Sequence, residues 1–247
     1  MLVRGWQHKP PRDMVMSNLP KTSSERPPAS TEADISAFIN KVKSIPPHGG
    51  QGRLIFAMDA TMSRQPTWDR ALSIQSQMFM EAKKAGGLAV QLVYFRGFNE
   101  CRASRWVNDP QALAGLMTRI DCRGGNTQLR RLLAHVKKEA ASEKVSAVVF
   151  VGDAFEEQID AVCETAGEIG LLGLPIFMFQ EGTDPTAERA FREIASLTRG
   201  AFYRLDSSAP SVLAELLSAV AAYASGGRAA LEQKQTPAAR ALLQQLK

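Results

Sequence analysis

Three short polar stretches carry the side chains best suited to chemistry: Asp59-Ala60-Thr61-Met62-Ser63, Gly124-Gly125-Asn126-Thr127 and Gly152-Asp153. Together they offer two carboxylates and three hydroxyls, all of them hard oxygen donors. A small dication such as Mg2+ or Mn2+ takes oxygen ligands in octahedral geometry and tends to keep several waters. With so few carboxylates around it, such an ion stays electron-poor and accepts one more anionic ligand from outside. Alternate residues of an extended chain face the same way, so Asp59, Thr61 and Ser63 are expected on one side as the chain leaves a strand. The same residues also have a plainer reading, as strand-end polar groups that cap helices.

The elements that must hold these stretches follow from hydrophobic periodicity. Apolar runs at 54–58, 88–95, 145–151, 174–179 and 201–205 read as strands, with a more polar edge strand around 100–107. Between and after them, 66–85, 110–120, 127–141, 155–169, 185–198 and 210–224 have helical spacing. Continuous Val/Ile/Leu/Phe strands separated by helices predict an α/β fold, with a doubly wound, mostly parallel, Rossmann-like sheet of about six strands and helices on both faces. Ligands on such sheets bind beyond the carboxyl ends of the strands, near the point where strand order reverses. All three polar stretches fall at that edge.

In order and loop position, these residues resemble the von Willebrand factor A (VWA) domain and its metal-ion-dependent adhesion site (MIDAS), as found in intracellular bacterial members. The family pattern is DxSxS, then a Thr, then an Asp. Asp59, Thr61 and Ser63 match the first element, with Thr in place of the first Ser; Thr127 in GGNT matches the second and Asp153 in FVGD the third. The segment AFREIASLTRGAFYRLD resembles the last helix–strand turn of the family, so the likeness spans about residues 52–225. It implies that Thr61, Ser63 and Thr127 ligate the metal directly or through water, and that Asp59 and Asp153 act mainly through bound waters. It further implies a non-enzymatic module in which Mg2+ or Mn2+ captures a Glu or Asp of a protein partner, within a complex that by analogy includes an AAA-type ATPase. RNA or ribonucleoprotein binding is a second expectation, and a metal-dependent hydrolase a third.

Several neighbours are candidates for the partner-facing rim: Arg64, Asn126, Glu156 and Glu181. Glu156, Glu157, Glu181 and Asp184 equally suit the first turns of helices, where acids favour the positive end of the dipole. Trp68 can face a partner or join the helical stripe of Leu72, Met78 and Phe79. Other chemistries find little support. There is no GxxxxGK[ST] loop and no GxSxG elbow, and Gly167, Gly170 and Gly173 have the wrong spacing for a dinucleotide fingerprint. The DxDxT pattern of haloacid-dehalogenase-type phosphatases would need an acid where Thr61 stands. His8, His48 and His135 are scattered, and Cys122 is a soft ligand poorly matched to an oxygen site.

Composition adds boundaries. The 247 residues carry a formal charge of +5, but residues 1–50 and 226–247 each contribute +3 and residues 51–225 only −1. The expected organisation is a flexible, Pro-rich arm over 1–50 with one short helix near 32–44, a VWA domain over 51–226 and a helical tail over 227–247. Three cysteines without metal-binding spacing suit a reducing, cytoplasmic setting. No apolar run approaches the roughly 18–20 residues of a membrane span. The opening residues lack periodicity, and translation is expected to start at Met16.

Overall fold

Strands rich in Val, Ile, Leu and Phe pair their backbones in a sheet and bury side chains on both of its faces. The computed structural model describes residues 52–64 and 88–205, with separate positions at 33–34, 36–37, 215, 218–219 and 224. Six strands are present: β1 (Gly52–Asp59), β2 (Leu88–Arg96), β3 (Glu100–Ala103), β4 (Ala147–Gly152), β5 (Ile176–Glu181) and β6 (Ala201–Leu205). They lie in the order β3-β2-β1-β4-β5-β6. Every pairing is parallel except the antiparallel β2–β3. Four helices are described in full: α1 (Pro110–Met117), α2 (Leu129–Ser142), α3 (Ile159–Leu171) and α4 (Pro185–Leu197). This is the doubly wound α/β sheet that the alternating pattern predicts.

The period of two along β1 and β4 divides the core. Leu54, Phe56, Met58, Val149 and Val151 face one layer, which Leu113 and Met117 of α1 join. Ile55, Ala57, Val148 and Phe150 face the other, built with α2, α3 and α4. Phe150 lies between Phe95, at 6.1 Å, and Phe191 of α4, which meets it edge-on at 5.4 Å. β1 touches β2 on one side and β4 on the other, so the chain leaves it in opposite directions. The carboxyl ends of β1 and β4 therefore flank the crevice that such reversals create.

Several boundaries depart from the sequence pattern. The helix expected from Phe155 begins at Ile159, because Phe155 is buried in the core and Glu156 and Glu157 bond to another segment. The edge strand expected to reach Val107 stops at Ala103. There the hydroxyl of Ser104 accepts the Leu92 N–H at 3.0 Å in place of a backbone carbonyl, and pairing resumes only at a Val90–Val107 bridge. The helix expected from Thr127 begins at Leu129, and the one expected to reach Ile120 ends at Met117. The expected helices at 66–85 and 210–224, Trp68, the arm and the tail lie outside the described residues, apart from the separate positions above, which are helical. Among the described residues no helix is long and apolar enough to cross a membrane.

Candidate metal centre

The last residue of β1, Asp59, is 0% exposed, and its Oδ1 accepts the Thr61 N–H at 2.7 Å. That bond turns the chain as it leaves the sheet. The Arg64 N–H, donated to Thr61 O at 3.1 Å, closes a single 3-10 turn over Met62–Arg64. The turn brings the Thr61 and Ser63 hydroxyl oxygens to 3.1 Å of each other, Thr61 buried and Ser63 exposed. The expected alternation of donors is thus present, made by an Asp-initiated turn as well as by the strand.

The second stretch is held from both sides. Arg123 N–H is donated to Ala60 O at 3.0 Å, which sets the start of this loop beside the end of β1. Asn126 N–H is donated to Gly97 O at 3.3 Å, and Gln128 Nε2 reaches the same oxygen at 3.0 Å. A Cβ on Gly125 would stand 2.0 Å from Gly97 O, so only glycine fits at this crossing. Thr127 and Glu156 then bond reciprocally: Thr127 N–H to Glu156 Oε2 at 3.2 Å, and Glu156 N–H to Thr127 Oγ1 at 3.0 Å.

The third stretch also depends on a glycine. A Cβ on Gly152 would meet the Phe150 ring at 2.7 Å and Asp59 Cβ at 3.4 Å. Its absence lets the end of β4 close on β1 and sets Asp153, which is half-buried, at the same crevice. Burial is the main force raising the Asp59 pKa from 3.8 to about 6. The nearby Asp153 charge adds to the rise, while the Thr61 hydrogen bonds and the Arg64 charge oppose it.

Two buried oxygens at this crevice, Asp59 Oδ2 and Asp153 Oδ1, have no hydrogen-bond partner among the described residues. Arg64 is the nearby cation, and its Nε lies 3.2 Å from Glu181 Oε2. These two opposite charges cancel, leaving the pair of aspartates with a formal −2. A hard dication fits that charge and this set of donors. Among the described residues no three His, Cys, Asp or Glu side chains group as a metal cluster. An ion here would therefore rest on hydroxyls for most of its protein ligands.

The rim residues fare differently from one another. Arg64 is 0% exposed, and Glu181, partly exposed at the end of β5, supplies its counter-charge. Glu156 is exposed but spends a carboxylate oxygen on Thr127, and Asn126 is exposed at the loop. Glu157, expected in a helix first turn, instead accepts the N–H groups of Leu129 and Arg130 at the start of a different helix, α2. The partners are 28 and 27 residues away, so no local spacing announces the contact.

No family model matches the chain, and no curated protein does. Solved structures do. The von Willebrand factor type A protein from Catenulispora acidiphila superposes with a TM-score of 0.57 at 16% identity, covering 71% of this chain and 43% of its own. The pilus adhesin SpaC from Lactobacillus rhamnosus GG gives 0.56 at 10% identity, over 71% of this chain and 30% of its own. The vWF domain of the type V pili tip protein Mfa5 from Porphyromonas gingivalis gives 0.57 at 9% identity, over 70% and 95%. The match thus spans less than half of the first two proteins and nearly all of the third. At these identities the likeness concerns the fold, and the fold is that of a VWA domain.

Proposed function

We propose, starting from this VWA fold, that the protein is a non-enzymatic recognition module that grips an acidic residue of a protein partner through a bound Mg2+ or Mn2+. Asp59, Thr61, Ser63, Thr127 and Asp153 would hold the ion. The observation that carries this reading is the pair of buried carboxylate oxygens, Asp59 Oδ2 and Asp153 Oδ1, left without a donor among the described residues beside two hydroxyls 3.1 Å apart. When bound, the metal supplies a coordination position for a carboxylate from outside. The chain itself does the positioning. Asp59 Oδ1 fixes the turn that presents Thr61 and Ser63, Glu156 holds Thr127, and Arg64 engages Glu181 so that this third carboxylate is balanced. The wider surface must provide the rest of the affinity, since one charged contact anchors and does not by itself specify. A cytoplasmic setting suits the three free cysteines.

Titration of the full-length protein with Mg2+ and with Mn2+ tests this reading calorimetrically. Saturable binding of one ion that weakens at least tenfold in Asp59→Ala supports it. A partner retained on the immobilised protein should then be released by chelator and be absent from the variant. Metal binding unchanged by the substitution, or a partner that ignores both treatments, would overturn the proposal.

A further inference from the structure

The free edge of the sheet carries a second arrangement, separate from the candidate metal centre. Among the described strands β3 pairs with β2 on one side only, and Arg102 and Ala103 are exposed. Ser104 N–H is donated to Leu92 O at 2.8 Å, so in this antiparallel ladder the even-numbered residues of β3 exchange bonds with β2. The N–H and C=O groups of Cys101 and Ala103 therefore point away from the sheet. Beside them lies a cavity of about 250 Å3, lined in part by Cys101 and Ala103 from β3 and by Arg131 and His135 from α2. Its lining contains no acidic residue.

Two arginines line this cavity; Arg102 Nε lies 3.6 Å from Glu100 Oε1, which leaves Arg131 as the cation with no carboxylate of the described residues beside it. The Arg131 Nη1 donates to Asn99 O at 3.0 Å and to Gln128 Oε1 at 3.5 Å, both neutral acceptors. His135 is held by Gln91 Oε1 at 2.9 Å, and burial lowers its pKa. Glu157 and Glu139 act on Cys101 and His135 from nearby, yet along the stretch that carries the cavity arginines outnumber acids. Residues 96–131 hold seven arginines against Glu100, Asp109 and Asp121, whereas residues 153–199 hold ten acids against three arginines.

The geometry points to the β3 edge as a docking site for an extended acidic segment of a partner protein, which adds a strand beside β3 and seats a carboxylate side chain against Arg131. Strand addition uses main-chain bonds for affinity and pockets for alternate side chains for specificity, and both are present at one place. The cavity is smaller than the roughly 300–1,000 Å3 usual for a whole small-molecule ligand, which suits a single side chain. Nucleic acid is the weaker match. Arg96, Arg102 and Arg123, three of the seven arginines, already pair with Glu100 or Asp121.

The test is fluorescence anisotropy on the full-length protein, in chelator so that the metal reading plays no part. The probe is a labelled eight-residue peptide alternating Glu and Val. Saturable binding is expected, weakened at least tenfold by Arg131→Gln, by Glu→Gln throughout the peptide, and by Ala103→Pro. The proline removes an outward N–H and leaves the β2 ladder intact, and edge strands accept it; its melting curve should match wild type. Should that variant fail to fold, N-methylation of alternate peptide bonds in the probe removes the same pairing. The proposal falls if the folded wild type shows no saturable binding, or if the Gln peptide or the N-methylated peptide binds as well as the Glu peptide. Undiminished binding by a folded Ala103→Pro, or an oligouridylate that displaces the peptide and is indifferent to Ala103→Pro, would also overturn it.

Discussion

Asp59 is a carboxylate placed out of reach of water, with one oxygen bonded and the other not. Its pKa near 6 against an ordinary 3.8 means that, in chelator, the folded state holds a proton more tightly than the unfolded state. Stability from this group is present below about pH 4 and is lost as pH rises through 6. The shift corresponds to about 3 kcal/mol. Urea unfolding in chelator should therefore show Asp59→Asn more stable than wild type at pH 7, by about 1–3 kcal/mol, with the difference shrinking towards pH 4. A variant no more stable than wild type at pH 7 would contradict this account. Protons also compete with metal here, so affinity for Mg2+ should fall below pH 6. The turn residues Asp59, Thr61 and Ser63 and the residue Asp153 could be placed in advance because they follow the apolar runs of β1 and β4, whereas Thr127 follows a helix and a polar loop. The burial of Arg64 could not, since its counter-charge Glu181 lies 117 residues away.

Helix starts divide into those that announce themselves and those that do not. α1 and α4 open with Asp109-Pro110 and Asp184-Pro185, and each aspartate accepts two N–H groups of its own first turn. Both starts are readable from sequence. α2 has Gln128 at its N-cap with no side-chain cap, and Glu157 arrives from the loop after β4 to do that work. Glu157→Ala should cost about 1 kcal/mol, the usual worth of a cap, and lower the thermal midpoint by several degrees. Because Glu156 beside it holds Thr127, metal titration of the same variant reads out the loop: weaker Mg2+ binding is expected, while the control Glu188→Ala in α4 should leave that binding unchanged. Equal metal affinity in the two variants would separate the cap from the site. The edge strand shows the other kind of miss. A single hydroxyl, Ser104, replaced a backbone acceptor and ended β3 early, which periodicity cannot foresee.

At the scale of the whole molecule, a net charge of −1 over residues 51–225 concealed two opposed regions, basic over 96–131 and acidic over 153–199. Summation along the chain erased what folding separates. An acidic segment approaching the β3 edge should be steered, so its association rate should drop severalfold between 50 and 500 mM NaCl while the dissociation rate changes less. Stopped-flow anisotropy with the Glu/Val peptide measures both; a rate independent of salt would argue against steering. The tight crossing of Gly125 over Gly97 has a bearing on this as well. With no side chain between them and the Asn126 N–H bonded across, the Thr127 loop and the β2–β3 turn lie in direct contact. Whatever factor an occupant of the metal loops exerts on affinity at the sheet edge is returned in equal measure by an occupant of the edge, because linkage runs both ways. Two glycines in van der Waals contact would then be the transmission between two ports of one adaptor.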